Sequence, residues 1–163
     1  KQITCCSAKT TPILKLKAVK KFNIRVYGLW INEQNEILVS DEQLDDFRFT
    51  KFPGGGLEFG EGIKDCLIRE WKEELDMDIE VMEHFYTTDF FQQSAFDDSQ
   101  IISVYYLIKP KPLPGADFIT SNTALDKRSN GSHNFRWIGL AQISETSVTL
   151  PIDKKVVGLL QKR

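Results

Sequence analysis

The sequence predicts one mixed domain, α/β or α+β. Three observations lead there: a length of 163 residues, strand-like and helix-like segments that interleave, and no domain linker or internal repeat between them. A chain of this size can bury one substantial core. Composition is that of an ordinary folded protein, with 41% hydrophobic and 27% charged residues and a net charge of −2. That balance suggests neither a disordered tail nor a nucleic-acid-coating protein, and argues mildly against a large footprint on a phosphate backbone while leaving room for a local basic patch. No apolar run approaches the roughly 18 residues of a membrane span.

Residues 1–20 are expected to be an irregular extension of a single domain covering 1–163. The start of the chain lacks the long apolar core of a secretory signal, although a signal removed before Lys1 would leave no trace. Cys5 and Cys6 are adjacent and Cys66 stands alone, which is neither a disulfide framework nor a zinc spacing. These are expected to be inert thiols of a cytoplasmic protein, the adjacent pair at the surface and Cys66 packed on its helix.

Residues 22–32 (FNIRVYGLWIN) are β-branched and aromatic and predict a long strand. The polar turn at 32–35 and the apolar stretch 36–40 complete a predicted hairpin. Residues 41–49 (DEQLDDFRF) are charged and predict a loop. The glycines 54–56 predict a tight turn, since they tolerate positive φ and close backbone approach. A helix is predicted from about 62 to 76. Strands are expected at 79–91 and 100–109, joined by the polar link 94–99. The proline-bearing stretch 110–134 predicts a long loop. A short strand at 135–138, one helical turn at 140–143, and a last helix opened by Pro151 complete the chain.

The middle helix carries the chemistry. On a helical wheel Ile63, Leu67, Trp71 and Leu75 form one apolar stripe. Glu70 flanks it, Glu73 lies far from it, and Glu74 sits roughly 40° from its centre. A carboxylate that close to a buried face is costly unless something neutralises it. Pairing with Arg69, Lys72 or another base is one solution. A divalent cation is the other, and the glycine segment just before the helix favours it. Glutamate carboxylates and backbone carbonyls suit magnesium or manganese rather than zinc.

These residues resemble the signature of the Nudix hydrolases, MutT among them, written G-x5-E-x7-R-E-U-x-E-E-x-G-U with U bulky and apolar. Gly55, Glu61, Arg69, Glu70, Trp71, Glu73, Glu74 and Met77 match at the required spacing. Asp76 departs, standing where the family has a helix-ending glycine. The box, residues 55–77, covers about a seventh of the chain. Outside it the agreement is coarser, and rests on the order of strands and on FRWI at 135–138 followed by a short helix.

The resemblance implies an α/β/α sandwich with a mixed β-sheet, in which the box forms a loop–helix–loop. It implies magnesium-dependent hydrolysis of a pyrophosphate bond in a nucleoside diphosphate linked to a group X, with Mn2+ as a substitute for Mg2+. Glu70, Glu73 and Glu74 would bind the metal with the Gly55 carbonyl, Arg69 would orient the glutamates, and Glu61 would brace the box. For the general base, Glu70 is favoured over acids on neighbouring loops, of which Asp97, Asp98, Asp117 and Asp126 are available.

Substrate identity is not written in the box. The proline of ADP-ribose-cleaving members, the extended element of NADH-cleaving members and the coenzyme A motif are all absent. Of the aromatics at Phe85, Tyr86, Phe90, Phe91 and Phe96, most are expected in the core, while one is free to stack on a base or sugar. Arg48 and Lys51 are either phosphate contacts or solvated strand-end charges. Glu58 is either a ligand to a second metal or an outward-facing strand residue. Lys127, Arg128 and His133 lie in the long loop, as a substrate clamp or simply as solvated residues. Two rival functions share the fold: a non-catalytic module sensing a nucleotide or sugar-nucleotide, and an RNA-end pyrophosphohydrolase. Intact box acids weigh against the first, and the pI of about 5.8 without a basic aromatic stripe against the second. The expected partner is a small nucleotide-type substrate, with no membrane and no nucleic acid. A homodimer is common in the resembled family.

Overall fold

The computed structural model describes residues 21–112 and 133–163. Its elements run β1 (Phe22–Leu29), β2 (Glu36–Leu44), β3 (Phe47–Lys51), β4 (Gly54–Gly56), α1 (Ile63–Leu75), β5 (Ile79–Thr87), β6 (Gln100–Pro110) and β7 (His133–Gly139). A 3-10 turn at Glu145–Ser147 leads to α2 (Pro151–Leu160). Cys5, Cys6, Asp117, Asp126, Lys127 and Arg128, the predicted N-terminal extension and most of the predicted long loop lie outside the described residues, as does the side chain of His133.

Two sheets form. One has the order β4-β1-β6-β5 and is mixed, because β1 and β6 run parallel; the other, β3-β2-β7, is antiparallel. Strand alternation then distributes the core. Tyr27 and Leu29 of β1, with Ile37 and Val39 of β2, pack with Ile152, Val156 and Val157 of α2. Val26 and Leu38 point the other way, into a cluster with Cys66, Leu67 and Trp71 of α1. Each of these strands is thus covered by a different helix on its two faces, which is why they are apolar at consecutive positions.

Three expectations are corrected. Residues 22–32 and 36–40 do not form a hairpin: β1 and β2 enter different sheets. They keep only the Ile31–Ile37 bridge and a hydrogen bond from Leu38 N to Trp30 O (3.1 Å). The turn still forms, with Asn32 Oδ1 accepting from the backbone of Gln34 and Glu36. The charged stretch 41–49 is not a loop, because β2 continues to Leu44 and β3 begins at Phe47. Its charges are met from across the sheet, Asp41 by Arg136 at 2.6 and 3.3 Å. Finally, the glycines are not a tight turn. They form β4, paired with β1 in the register Val26 to Gly55. Gly54 has φ of +131°, and a Cβ there would stand 2.2 Å from the Val26 carbonyl oxygen.

The acidic helix ends as the family box requires, despite its missing glycine. Asp76 adopts the left-handed conformation at φ 51°. The Asp76 and Met77 amides donate back to Lys72 O and Trp71 O at 3.1 and 3.3 Å, closing the last turn. Lys72 pairs with Asp76 at 3.0 Å and Asp78 at 3.4 Å, so it is not the partner of the box glutamates.

Candidate active site

Helix α1 lies against β4 and β1, and this apposition places the box. Trp71 and Leu67 are fully buried and anchor the helix. Gly28 of β1 makes room for Trp71, since a Cβ there would sit 2.6 Å from the indole nitrogen. Anchoring by Trp71 turns Glu70 and Glu74 toward the glycine strand, where their side chains are only 14% and 13% exposed, and leaves Glu73 at 60%.

The carboxylates do not gather into one cluster. Among the described residues no group of three or more His, Cys, Asp or Glu stands at metal-ligating spacing. Instead cations hold them. Arg69 reaches Glu70 at 3.1 Å and Glu73 at 3.2 Å, and its guanidinium grips Glu61 with bonds of 2.8 and 3.0 Å. It also donates to the Gly56 carbonyl at 3.1 Å. Glu61 in turn accepts from the Glu58 amide at 2.7 Å, so Arg69 and Glu61 together lock the loop to the helix. These bonds, the Arg69 pair first, hold the Glu61 carboxyl down at about 2, and chiefly through Glu61 the Arg69 guanidinium is pushed above its ordinary value. Cys66, buried beneath them, donates to Gly56 O at 3.4 Å. Burial and then Glu61 push its thiol up to about 12, so it is inert.

Glu74 has a different partner. Lys51 of β3 lies 3.8 Å from it, 2.9 Å from Glu42, and donates to the Gly54 carbonyl at 2.6 Å. Lys51 is 3% exposed, so neither a solvated strand-end charge nor an open phosphate contact describes it. It is the buried cation that neutralises the acid nearest the core stripe. The Gly54 amide points at Glu74 as well, at 3.4 Å. Glu70 lies directly against Gly55, where a Cβ would come within 2.3 Å of its carboxyl atoms.

Other candidates lie elsewhere. Arg48 is exposed and donates to Gln43 at 3.1 Å on the outer hairpin. Glu58 is exposed in the loop after β4, not on a strand. Asp97 caps Ser99 through its amide (3.0 Å) and hydroxyl (2.5 Å) and pairs with Lys21 at 3.1 Å. The Ser99 bonds, with Lys21 adding to them, hold its carboxyl well below the usual range. Asp98 is exposed beside it.

Beside the box lies a cavity of about 110 Å³, bordered by Arg25, Lys51, Phe49, Phe96, Tyr105 and Asp153 among others. Lys51 belongs to both places. Of the aromatics singled out by sequence, Phe96 reaches this cavity, whereas Phe85 and Tyr86 pack against the core. Asp153 was legible only in outline: a carboxyl in the first turn of α2 beside the buried Ile152 and Val156, the same signal that marked Glu74.

A profile of the NUDIX domain matches residues 21–157. The chain belongs to the Nudix hydrolase family. It is MutT-like, and a pyrophosphohydrolase with that family. Solved Nudix structures share its fold at low identity. A MutT protein from Methanosarcina mazei Go1 is 16% identical with a TM-score of 0.63, over 90% of this chain and 97% of its own. A NUDIX hydrolase from Nitrosomonas europaea is 14% identical with a TM-score of 0.61, over 87% and 90%. A MutT from work on Aliivibrio salmonicida and Vibrio cholerae is 24% identical with a TM-score of 0.53, over 87% and 98%. Between these Nudix relatives the shared element is the fold, and the box residues of this chain must speak for its own chemistry.

Proposed function

We propose that this Nudix hydrolase cleaves a pyrophosphate bond in a nucleoside diphosphate linked to a second group, with Mg2+ as cofactor. The observation that carries the proposal is the seating of Glu70 against the bare backbone of Gly55 while Glu74 faces the adjacent Gly54 amide. Two helix carboxylates thereby face the backbone of β4, Glu70 in a space that any side chain at residue 55 would fill.

The residues present fit a hard divalent cation. Every donor is a carboxylate or carbonyl oxygen, with no thiol or imidazole among them. Glu70, Glu73 and Glu74 would hold it with the Gly55 carbonyl. Bound there, magnesium neutralises phosphate oxygens and lowers the pKa of the attacking water. The chain's own contribution is orientation and charge. Arg69, fixed by Glu61, aims Glu70 and Glu73, and Lys51 keeps Glu74 compatible with burial. Glu70 is the favoured acceptor for the proton of the attacking water, since Asp97 is committed to Ser99 and Lys21. Attack at phosphorus breaks the P–O–P bridge and releases a nucleoside monophosphate and phosphorylated X.

A panel of nucleoside diphosphate derivatives and nucleoside triphosphates, incubated with and without Mg2+, tests this. Turnover that needs Mg2+ supports it. Binding without turnover across the panel favours a sensor, and preference for triphosphorylated or capped RNA over free nucleotides favours an RNA-end enzyme.

A further inference from the structure

Among the described residues one cation is buried, Lys51 of β3. A lysine is seldom found at that depth unless anions hold it. Its ammonium donates to the Gly54 carbonyl at 2.6 Å and lies 2.9 Å from Glu42 and 3.8 Å from Glu74. The Tyr27 ring lies beside it, with 5.5 Å from the ammonium to the ring centre. Glu42 is fixed in turn, accepting from the Ser40 hydroxyl at 3.0 Å. The lysine is therefore held by β2 and β4 rather than by helix α1.

The unequal distances matter. A charge-assisted hydrogen bond from an ammonium closes to about 2.7–2.9 Å, which Glu42 meets and Glu74 does not. Lys51 thus binds Glu42 directly and acts on Glu74 through its charge. Both carboxylates are 13% exposed, so water screens that charge weakly. A divalent cation held by Glu74, as the proposed function requires, meets a fixed like charge beside the same carboxylate. Two cations then have a claim on one acid, and only one of them is built into the chain.

We propose that Lys51 is a positioning residue of the metal centre, a resident cation that competes with the metal for Glu74 and keeps metal affinity below what the box carboxylates alone would give. The inference rests on Glu74 being a metal ligand, as proposed above. Glu42 sets the strength of the competition. Its carboxylate draws the ammonium to 2.9 Å and away from Glu74. With the charge of Glu42 removed, the pull of Lys51 falls more fully on Glu74. Substitutions at residues 51 and 42 therefore shift metal affinity in opposite directions. A lysine that served burial alone would give no such opposition, since loosening the pair from either side would weaken the site.

The test is a titration of the full chain with Mn2+, whose electron paramagnetic resonance signal is lost on binding, so that no substrate or turnover is needed. Lys51→Met, Glu42→Gln, the double variant and Glu74→Gln are run beside the wild type, each first checked for folding by circular dichroism. Lys51→Met should bind Mn2+ more tightly by about tenfold or more, the effect of removing one nearby like charge, although it melts earlier in urea because a buried pair has lost its cation. Glu42→Gln keeps the shape of its side chain and should bind Mn2+ more weakly; it decides the matter if the methionine variant does not fold. In the Lys51→Met background, Glu42→Gln should change affinity far less, since the lysine through which it acts is gone. Unchanged or weaker binding in Lys51→Met, or unchanged or tighter binding in Glu42→Gln, would overturn the proposal while leaving the metal site in place. Wild-type affinity in Glu74→Gln would instead remove Glu74 from the metal ligands, and with it the reading on which the proposal rests.

Discussion

Single side chains decide whether this box can work, and the closest contacts are the most exacting. Gly55→Ala would drive a methyl group to 2.3 Å from the Glu70 carboxyl. Glu70 must then leave its seat, and metal-dependent turnover should fall by at least tenfold while the far-UV circular dichroism stays native. Glu73→Gln and Glu74→Gln each remove one anionic donor without changing shape. Both variants should lose turnover and keep their fold, and near-normal activity in both would remove the assignment of these residues. Glu74→Gln also removes one of the two carboxylates that Lys51 pairs with among the described residues, leaving Glu42 at 2.9 Å. That Glu70, Glu73 and Glu74 lie on one helix was legible in the sequence, because helical spacing is local. Lys51 was not. Its burial depends on β1, β2 and α1 closing around it, which no local pattern near residue 51 records.

At the scale of elements, α1 shows how a departure from the family pattern is absorbed. Asp76 takes the left-handed conformation that glycine adopts without strain, and an aspartate tolerates it better than most residues. Asp76→Gly should therefore raise stability in urea by about 0.5–1 kcal/mol, offset in part by loss of the exposed pair with Lys72. A variant less stable than the parent would mean that this pair, not the backbone, sets the helix end. The helices and most strands could be read from periodicity, since that signal is local. The hairpin could not: residues 32–35 do turn the chain, yet β1 finds its partners in β6 and β4, and pairing across such distances leaves no mark at the turn. The charged run 41–49 misled for a related reason, as Asp41 is satisfied by Arg136 from a strand 95 residues away in sequence.

Across the whole molecule, two carboxyls give stability opposite dependences on pH. Glu61 is held at about 2 against an ordinary value of 4.5, so its contribution is present above pH 4.5 and disappears as pH falls toward 2. Asp153 is raised to about 7 from 3.8. Between those values the folded chain keeps a proton that the unfolded chain releases, so stability falls as pH rises from about 4 to 7. The full difference is on the order of 4 kcal/mol by the usual conversion of pKa shift to free energy. Asp153→Asn should flatten that decline in urea melts at pH 5 and 7, and an unchanged slope would show that Asp153 is not its source. Lys51 borders both the cavity and the box, since it lines the one and pairs with Glu74 of the other. The central claim is that the box glutamates carry out metal-dependent pyrophosphate hydrolysis. Phosphorus NMR of the nucleotide panel with the wild-type chain, in Mg2+ and then in excess EDTA, tests it most directly. A nucleoside monophosphate should appear only with Mg2+, and not with Glu73→Gln or Glu74→Gln. Product formed equally in EDTA, or no product from any nucleotide in Mg2+, would contradict it.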